Sequence, residues 1–416
     1  MSHVQIAIIG AGPVGLTLAR LLLNNPSLNV VVFESDGSRN SRSQGGTLDL
    51  HPDTGLEALK QAGLWEEFTK NARYDGEALT FCDKKLQKYV RLSGAEGKSS
   101  RGRPEIDRAA LRAILLDSIP SEMIRWGCHL RAIDENHDLV FDHGIESGFD
   151  LVVGADGAWS KVRSLLSDQK PVYSGIGGYD FNIPNAKETA PKCYEHTNRG
   201  SLFSLSDHRA IFSQQIGDGS LYITCWSQRP EDWMQTGSCD ILSPECIKKI
   251  IREEFHDWHP ELLDFVEKGD DIVARSLYML PVGWCWEHRP GITLIGDAAH
   301  VMTPFAGEGV NLGMQDALML SQAILRATSS SAPTDKLPAE IRAFEENLFV
   351  RAKRTGTHTM DMLKWMMLTD GAPRSTIDKF SLRMMTFHDK TFLEHLRYPF
   401  LAALVKGYFS LCKLWY

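Results

Sequence analysis

The stretch that most restricts what this chain can fold into opens with Val4–Ile9, a continuous apolar run rich in β-branched residues. Such a run is the pattern of a strand buried on both faces of a sheet. It leads directly into Gly10-Ala11-Gly12-Pro13-Val14-Gly15 and then Leu16-Thr17-Leu18-Ala19-Arg20-Leu21-Leu22-Leu23, a strong helix that Asn24-Asn25-Pro26 stops. A second strand over residues 30–33 ends on Glu34. This is a complete β-α-β unit with G-x-G-x-x-G at its strand-to-helix turn. Gly10 allows the tight turn, Gly12 lets backbone approach a pyrophosphate, and Gly15 lets the helix pack closely on the strand. Glu34 is placed to accept hydrogen bonds from an adenosine ribose. The unit predicts dinucleotide binding.

Two later stretches repeat the same logic. Phe149-Asp150-Leu151-Val152-Val153-Gly154-Ala155-Asp156-Gly157 reads as a buried strand ending at Gly-x-Asp-Gly, with a helix opening near Ser160. Leu294-Ile295-Gly296-Asp297-Ala298-Ala299-His300 is a third such strand, again ending on an acid. It is followed by Pro304-Phe305-Ala306-Gly307-Glu308-Gly309-Val310-Asn311, a glycine-rich turn and a helix start. Asp297 suits a polyol or ribose hydroxyl, and the helix N-terminus suits a polarisable anion. The economical expectation is that strands of one sheet converge their C-terminal ends on one extended ligand.

Between the second and third stretches the texture changes. Residues 201–205, 210–215 and 220–226 are short strand-like segments separated by Asp-His-Arg and Gly-Asp-Gly turns, which reads as antiparallel sheet. Residues 56–68 read as one amphipathic helix, 91–103 as an exposed loop, 247–265 as helical, and 276–281 as a returning strand. Asp107 is a plausible N-cap for the helix that begins at 108, and the arginines of that helix default to surface salt bridges. Residues 329–338 read as a low-complexity connection, followed by a long helix over 339–368 that Gly371-Ala372-Pro373 breaks. Two arginines, Arg39 and Arg42, precede a Gly-Gly turn and suit phosphate contact. The domain division expected is 1–172 and 276–330 for dinucleotide binding, 173–275 for an inserted sheet that carries substrate specificity, and 338–416 for a helical C-terminal region.

With 416 residues, 43% hydrophobic and 24% charged, the chain has the make-up of a globular protein with a large core. Its net charge of −8 favours no nucleic-acid surface. Cys82, Cys128, Cys193, Cys225, Cys239, Cys246, Cys285 and Cys412 show no C-x-x-C or zinc spacing, which predicts reduced thiols, no metal site and a cytoplasmic setting. The first strand starts too early to leave room for a signal peptide, and no stretch is long and apolar enough for a membrane span. The aromatic run over 398–416, interrupted by Lys406 and Lys413, predicts a packed terminal helix, with peripheral membrane contact the alternative.

The Gly10-x-Gly12-x-x-Gly15 fingerprint, the Asp156-Gly157 motif and the Gly296-Asp297 motif, in this order, resemble those of the FAD-dependent class A aromatic monooxygenases, the p-hydroxybenzoate hydroxylase-like family. The similarity covers about residues 3–365. Within that family, the stretches Ser43-Gln44-Gly45-Gly46-Thr47-Leu48-Asp49-Leu50-His51, Pro104-Glu105-Ile106-Asp107-Arg108 and Pro304 to Asn311 look most like the tetracycline-inactivating branch. The resemblance implies an α/β fold: a Rossmann-like FAD-binding domain with an inserted antiparallel-sheet substrate domain and a long C-terminal helix.

It also implies roles. Gly12 and Gly15 face the FAD pyrophosphate and Glu34 the ribose. Arg108 lies along the ribityl–pyrophosphate portion and Asp297 binds its oxygens. Asp49 sits near the ribityl or dimethylbenzene side, and Asp156 is associated with both FAD and NAD(P)H. Arg42 falls where relatives contact NADPH. Gly307, Gly309 and Asn311 supply backbone donors at the isoalloxazine pyrimidine edge. Phe203, Phe212, Tyr222, Pro304 and Phe305 align with substrate-side positions. Ser35 departs from the arginine that relatives place against adenine, and Tyr222 replaces a histidine of their substrate pocket, which implies a changed substrate.

No side chain activates O2 efficiently, so a flavin would supply that chemistry and the protein would position it. The expected activity is NAD(P)H-driven insertion of one O2 atom into a hydrophobic phenolic, enolic or polycyclic small molecule. Hydroxylation is the first expectation, through an oxygen adduct at flavin C4a; Baeyer–Villiger insertion, epoxidation, or oxidase action without insertion remain open. A halogenase would need a W-x-W-x-I-P motif, which is missing. A non-catalytic dinucleotide sensor is the remaining alternative. His51, His196 and His300 are possible proton-handling groups, each with an ordinary structural explanation.

Overall fold

The computed structural model describes residues 3–41, 45–93, 102–236, 243–330, 332–388 and 397–415. Its chain forms two compact units, one from residues 1–74, 99–174 and 278–357, the other from 75–98, 175–277 and 358–416. Residues 75–98 thus group with the second unit, although they lie inside the 1–172 segment, and 338–357 group with the first.

The first unit is built on a parallel sheet in which Val4–Ile9 lies between Leu28–Phe33 and Leu151–Gly154, with Ile292–Leu294 beyond the latter. A short strand, Ile124–Arg125, extends the other edge. These strands are mostly apolar because helices cover a parallel sheet on both faces; Ile6, Ile8, Val32, Leu151, Val153 and Leu294 are all buried. Helix Pro13–Leu22 follows the first strand and helix Gly309–Thr328 packs beside it. Their approach is close: a Cβ on Gly313 would stand 2.6 Å from Val14 Cγ2.

Several elements differ from expectation for local reasons. The helix expected over 56–68 is two, Gly55–Gln61 and Trp65–Asn71, separated at Gly63, whose φ of +71° is left-handed. The helical stretch over 247–265 is also two, Pro244–Glu254 and Pro260–Glu267. The connection expected over 329–338 is instead helical from Pro333, and this helix runs to Leu363. Pro333 stands at the first helical position, where proline is tolerated, whereas Pro338 lies inside the helix; there Leu337, Ile341, Phe344 and Leu348 bury one helical stripe that outweighs the breaker. A five-residue π-helical stretch, Lys364–Leu368, precedes the expected break.

The second unit holds a seven-stranded sheet whose spatial order is Asp270–Met279, Val172–Ile183, Leu221–Gln228, Arg209–Gln215, Ser201–Ser206, Leu79–Cys82 and Lys88–Leu92. The central strands are antiparallel, as the turn chemistry predicts. One face is sealed: Phe181, Ile211, Ile223 and Cys225 pack with Ile247, Ile251, Leu262 and Phe265 of the helices. The other face, which carries Phe203, Phe212, Gln214, Tyr222 and Thr224, keeps these side chains partly exposed. Helix Tyr398–Trp415 buries Phe409 but leaves Phe400, Leu404, Tyr408 and Leu411 exposed, so it is packed along one stripe only.

Cys246 takes part in a disulfide, whereas Cys82, Cys128, Cys193, Cys225 and Cys285 are free. This corrects the expectation of thiols throughout, because spacing along the chain does not report which sulfurs the fold brings together. No helix among the described residues is long and apolar enough to cross a membrane.

Candidate active site

The three motif-bearing strands lie side by side and end together. Ala155 N donates to Ile9 O at 2.8 Å, Ile295 N to Gly154 O at 2.9 Å, and Gly10 N to Phe33 O at 2.8 Å. Across the sheet the strand ends therefore present Asp297, Asp156, the Gly10–Gly15 turn and Glu34 in that order. Convergence of parallel strand ends is where open α/β sheets bind their ligands.

The three fingerprint glycines have separable roles. Gly10 has φ +110°, and a Cβ there would lie 2.4 Å from Ala155 O. A Cβ on Gly15 would lie 2.1 Å from Gly10 O, so the helix packs on the turn at glycine distance. Gly12 differs: no atom lies within 4 Å of a Cβ built on it. Nothing in the protein itself requires glycine there, and the open space lies at the N-terminus of helix Pro13–Leu22, where a phosphate is stabilised by backbone N–H groups and the helix dipole.

Glu34 is buried, and its Oε2 accepts from Ala11 N at 2.6 Å while Oε1 accepts from Asp36 N at 2.9 Å. It thereby ties the second strand's end to the fingerprint turn. Ser35 Oγ also donates to this carboxylate at 3.0 Å. Arg112, one of the helix arginines expected at the surface, is buried instead. It donates to Arg39 O at 3.0 Å and to Asp36 Oδ2 at 3.1 Å, and contacts Ala11 O at 3.4 Å. Asp107 stands at the N-cap position without a side-chain capping bond, and lies 3.5 Å from Arg73. Arg108, the next residue, is exposed. Arg42 lies outside the described residues.

Asp156 Oδ2 accepts from Lys161 N at 2.7 Å, while Oδ1 is buried without a hydrogen-bond partner. Burial pushes this carboxyl above the usual range, against the hydrogen bonds that hold it. Arg163, passed over as a site residue in the sequence, is buried and donates to Ala298 O at 2.9 Å and Ala158 O at 2.5 Å. It joins the Asp156-Gly157 turn to the short helix Asp297–His300.

Asp297 is exposed and its carboxylate makes no hydrogen bond among the described residues, with Oδ1 facing Gly309. Crowding by the surrounding loops raises its pKa, although His300, Arg108 and Arg163 oppose the shift. Gly296, at φ +61°, donates its N–H to Asp316 Oδ2 at 3.0 Å. The fully buried Asp316 also binds His300 Nε2 at 2.6 Å and Arg351 at 2.8 Å. Burial alone would raise the Asp316 pKa, but the hydrogen bonds and charges of these two partners lower it. His300 is thus held as a structural partner of the strand end. His196 is likewise held by Glu261, at 2.7 Å.

Helix Gly309–Thr328 starts immediately after Gly307, whose φ of +69° makes the turn. Its first N–H groups have no intrahelical acceptor. Asn311 is fully buried, and its amide clamps a loop: Oδ1 accepts from His51 N at 2.8 Å and Nδ2 donates to Asp49 O at 2.8 Å. His51 Nε2 lies 3.0 Å from Asp49 Oδ2 and Nδ1 lies 3.5 Å from Glu308 Oε2. Burial disfavours the charged ring, but the two carboxylates outweigh it and raise His51 to about 9. Asp49 is correspondingly lowered, His51 overcoming its desolvation. Pro304 is exposed and Phe305 buried within the turn Pro304–Ala306. On the second unit's open sheet face, Phe203 and Phe212 sit opposite each other with ring centroids 4.7 Å apart. Tyr222 shares that face.

A doubly anchored pyrophosphate cradle, a free carboxylate at the third strand end and an adjacent helix N-terminus define a dinucleotide-cofactor enzyme of the parallel-sheet type. The chain belongs to the family of the FAD binding domain, whose model matches residues 3–125 and 142–340. It is an FAD-dependent monooxygenase. It is 32% identical to monooxygenase asqM of Emericella nidulans and 30% identical to monooxygenase penA of Penicillium thymicola; in both cases 85% of this chain and 93% of the relative are covered. The crystal structure of tetracycline destructase Tet(51) shares the fold, with TM-score 0.66 and 16% identity over 93% of this chain and 96% of that one.

The residues present fit FAD. The space beside Gly12 would accept a pyrophosphate, Asp297 would offer a polyol an acceptor without a hydrogen bond among the described residues, and the helix start at Gly309 would offer donors to an electron-rich ring edge.

Proposed function

We propose that the chain uses NAD(P)H and O2 to insert one oxygen atom into a hydrophobic phenolic, enolic or polycyclic small molecule. The observation that carries this reading is the convergence of Gly12, Asp156 and Asp297 on one sheet edge beside the N-terminus of helix Gly309–Thr328. Bound FAD supplies hydride acceptance and oxygen activation, which no side chain here provides.

The chain's residues do the rest. Glu34 accepts from the adenosine ribose, and Gly12 with the first turn of helix Pro13–Leu22 holds the pyrophosphate. Arg108 and Asp297 orient the ribityl chain, and Asp49 lies along its ring side. Asp156 serves both FAD and the nicotinamide. N–H groups from Glu308 to Asn311, aided by the helix dipole, stabilise negative charge at the pyrimidine edge; the N–H of Gly307, expected among them, is instead donated to Pro304 O at 3.1 Å. His51 keeps its proton through neutral pH and fixes Asp49 and Glu308 as a rigid wall. Phe203, Phe212 and Tyr222, on the open sheet face of the second unit, contact the substrate and exclude water. Hydroxylation is the leading reaction. The test is substrate-stimulated NADPH oxidation in 18O2, across phenolic, alkaloid and polyketide candidates. One labelled oxygen in the product supports the reading; NADPH oxidation yielding only hydrogen peroxide with every candidate refutes it.

A further inference from the structure

On the open face of the seven-stranded sheet, four residues stand in one row across the strands. Asp180 is in register with Thr224, Thr224 with Phe212, and Phe212 with Phe203. Aromatic rings occupy one end of the row and a carboxylate the other. With neighbouring strands ~4.8 Å apart, Asp180 lies about 10 Å from Phe212 and about 14 Å from Phe203.

Asp180 is nearly buried, its side chain 9% exposed, and a buried carboxylate needs partners. Two supply them. Tyr222 donates its phenol to Asp180 Oδ2 at 2.7 Å, and Arg275 donates through Nε to Oδ2 at 3.0 Å and Oδ1 at 3.2 Å. Arg275, on the edge strand beside Asp180, uses only this one nitrogen. Among the described residues its two terminal nitrogens make no hydrogen bond, and its side chain is 57% exposed. Arginine and carboxylate frequently pair through two parallel N–H···O bonds, which engages a terminal nitrogen of the fork. Here the carboxylate grips the stem of the guanidinium and leaves the fork outward. Such a fork, fixed in direction by a buried acid, matches a planar oxyanion.

We propose that Arg275 is the anchor for an oxyanion on the substrate, a carboxylate or a phenolate or enolate of similar shape. Asp180 and Tyr222 are its positioning residues. The substrate is then a rigid amphiphile of at least two fused rings, its acidic group at Arg275 and its apolar end directed along the row toward Phe212. This rests on the reading of this sheet face as the substrate face.

The test is equilibrium dialysis of the FAD-loaded protein against 2-naphthoate and against methyl 2-naphthoate, a neutral probe of nearly the same shape. Charge-assisted hydrogen bonds of this kind are worth a tenfold or greater preference, so the anion is expected to bind at least about tenfold more tightly. Arg275→Met is expected to reduce that preference to about twofold or less while leaving ester affinity unchanged. Arg275→Lys retains part of it, and Asp180→Asn weakens the anion more than the ester. Equal binding of the two probes, binding of neither, or a preference that survives Arg275→Met overturns the proposal. So does an equal loss of both ligands in that variant with an unchanged thermal midpoint. Dialysis needs no turnover, so a protein that binds naphthoate in this way but never inserts oxygen would refute the proposed reaction and leave the anchor standing.

Discussion

His51 lies between two acids, its Nε2 3.0 Å from Asp49 Oδ2 and its Nδ1 3.5 Å from Glu308 Oε2. The backbone of His51 is pinned to Asn311, whose side-chain oxygen accepts its N–H at 2.8 Å. The ring is therefore a charged strut joining the loop after strand Thr47–Asp49 to the start of helix Gly309–Thr328.

That strut should impose a pH dependence. His51 titrates near 9 in the folded chain against 6.5 when unperturbed, so its contribution is complete below about 6.5 and is lost as pH rises through about 9. Urea midpoints measured from pH 6 to 10 should fall across this window in the wild type. His51→Gln should be less stable at pH 6 and show a flatter profile. Parallel profiles in the two proteins would remove the strut.

Gly12 and Gly15 should separate folding from cofactor binding. Gly12→Ala places its methyl in open space, so the thermal midpoint without FAD should change by no more than a couple of degrees. FAD affinity should nevertheless fall by at least about tenfold, because the methyl takes the pyrophosphate's approach. Gly15→Ala meets backbone at 2.1 Å and should cost several kcal/mol of stability whether or not FAD is present.

Asp297→Ala should leave the fold intact, since its carboxylate has no hydrogen bond to lose among the described residues. Hydrogen bonds to a charged acceptor are worth about 1.5–3 kcal/mol each, so FAD retention should fall by about ten- to a hundredfold or more. Dialysis followed by the flavin absorbance ratio reads this out. Full occupancy would refute the assignment of Asp297 to the ribityl chain.

Arg163→Met should act on the site from beneath. It leaves the carbonyls of Ala298 and Ala158 without their donor and lets the Asp156 turn move relative to Asp297. A loss of about 2–4 kcal/mol in chemical denaturation is expected, with weaker FAD binding alongside. An unchanged stability would mean that solvent replaces the arginine.

The first β-α-β unit was readable because its requirements are local: a largely apolar strand, glycines at fixed offsets and an acid at the next strand's end. The same holds for Asp156 and Asp297, whose strands announce themselves by composition. Helix boundaries were less legible, because Gly63 and the 255–259 turn interrupt patterns that continue on either side, and the stripe from Leu337 to Leu348 overrides Pro338.

What joins these parts came only from tertiary structure. Residues 101 and 135 positions apart meet in the contacts Arg112–Ala11 and Arg163–Ala298, and Asp316 draws Gly296, His300 and Arg351 to one carboxylate. Nothing near Arg112 or Arg163 in the chain distinguishes them from surface arginines, because burial and partner are properties of the packed whole. The sequence by itself determined the kind of fold and a dinucleotide cofactor, since those depend on short-range backbone geometry; that the dinucleotide is FAD followed from the family resemblance. Tertiary structure decided which charges are buried, which are paired, and which, such as the terminal nitrogens of Arg275, are left facing outward.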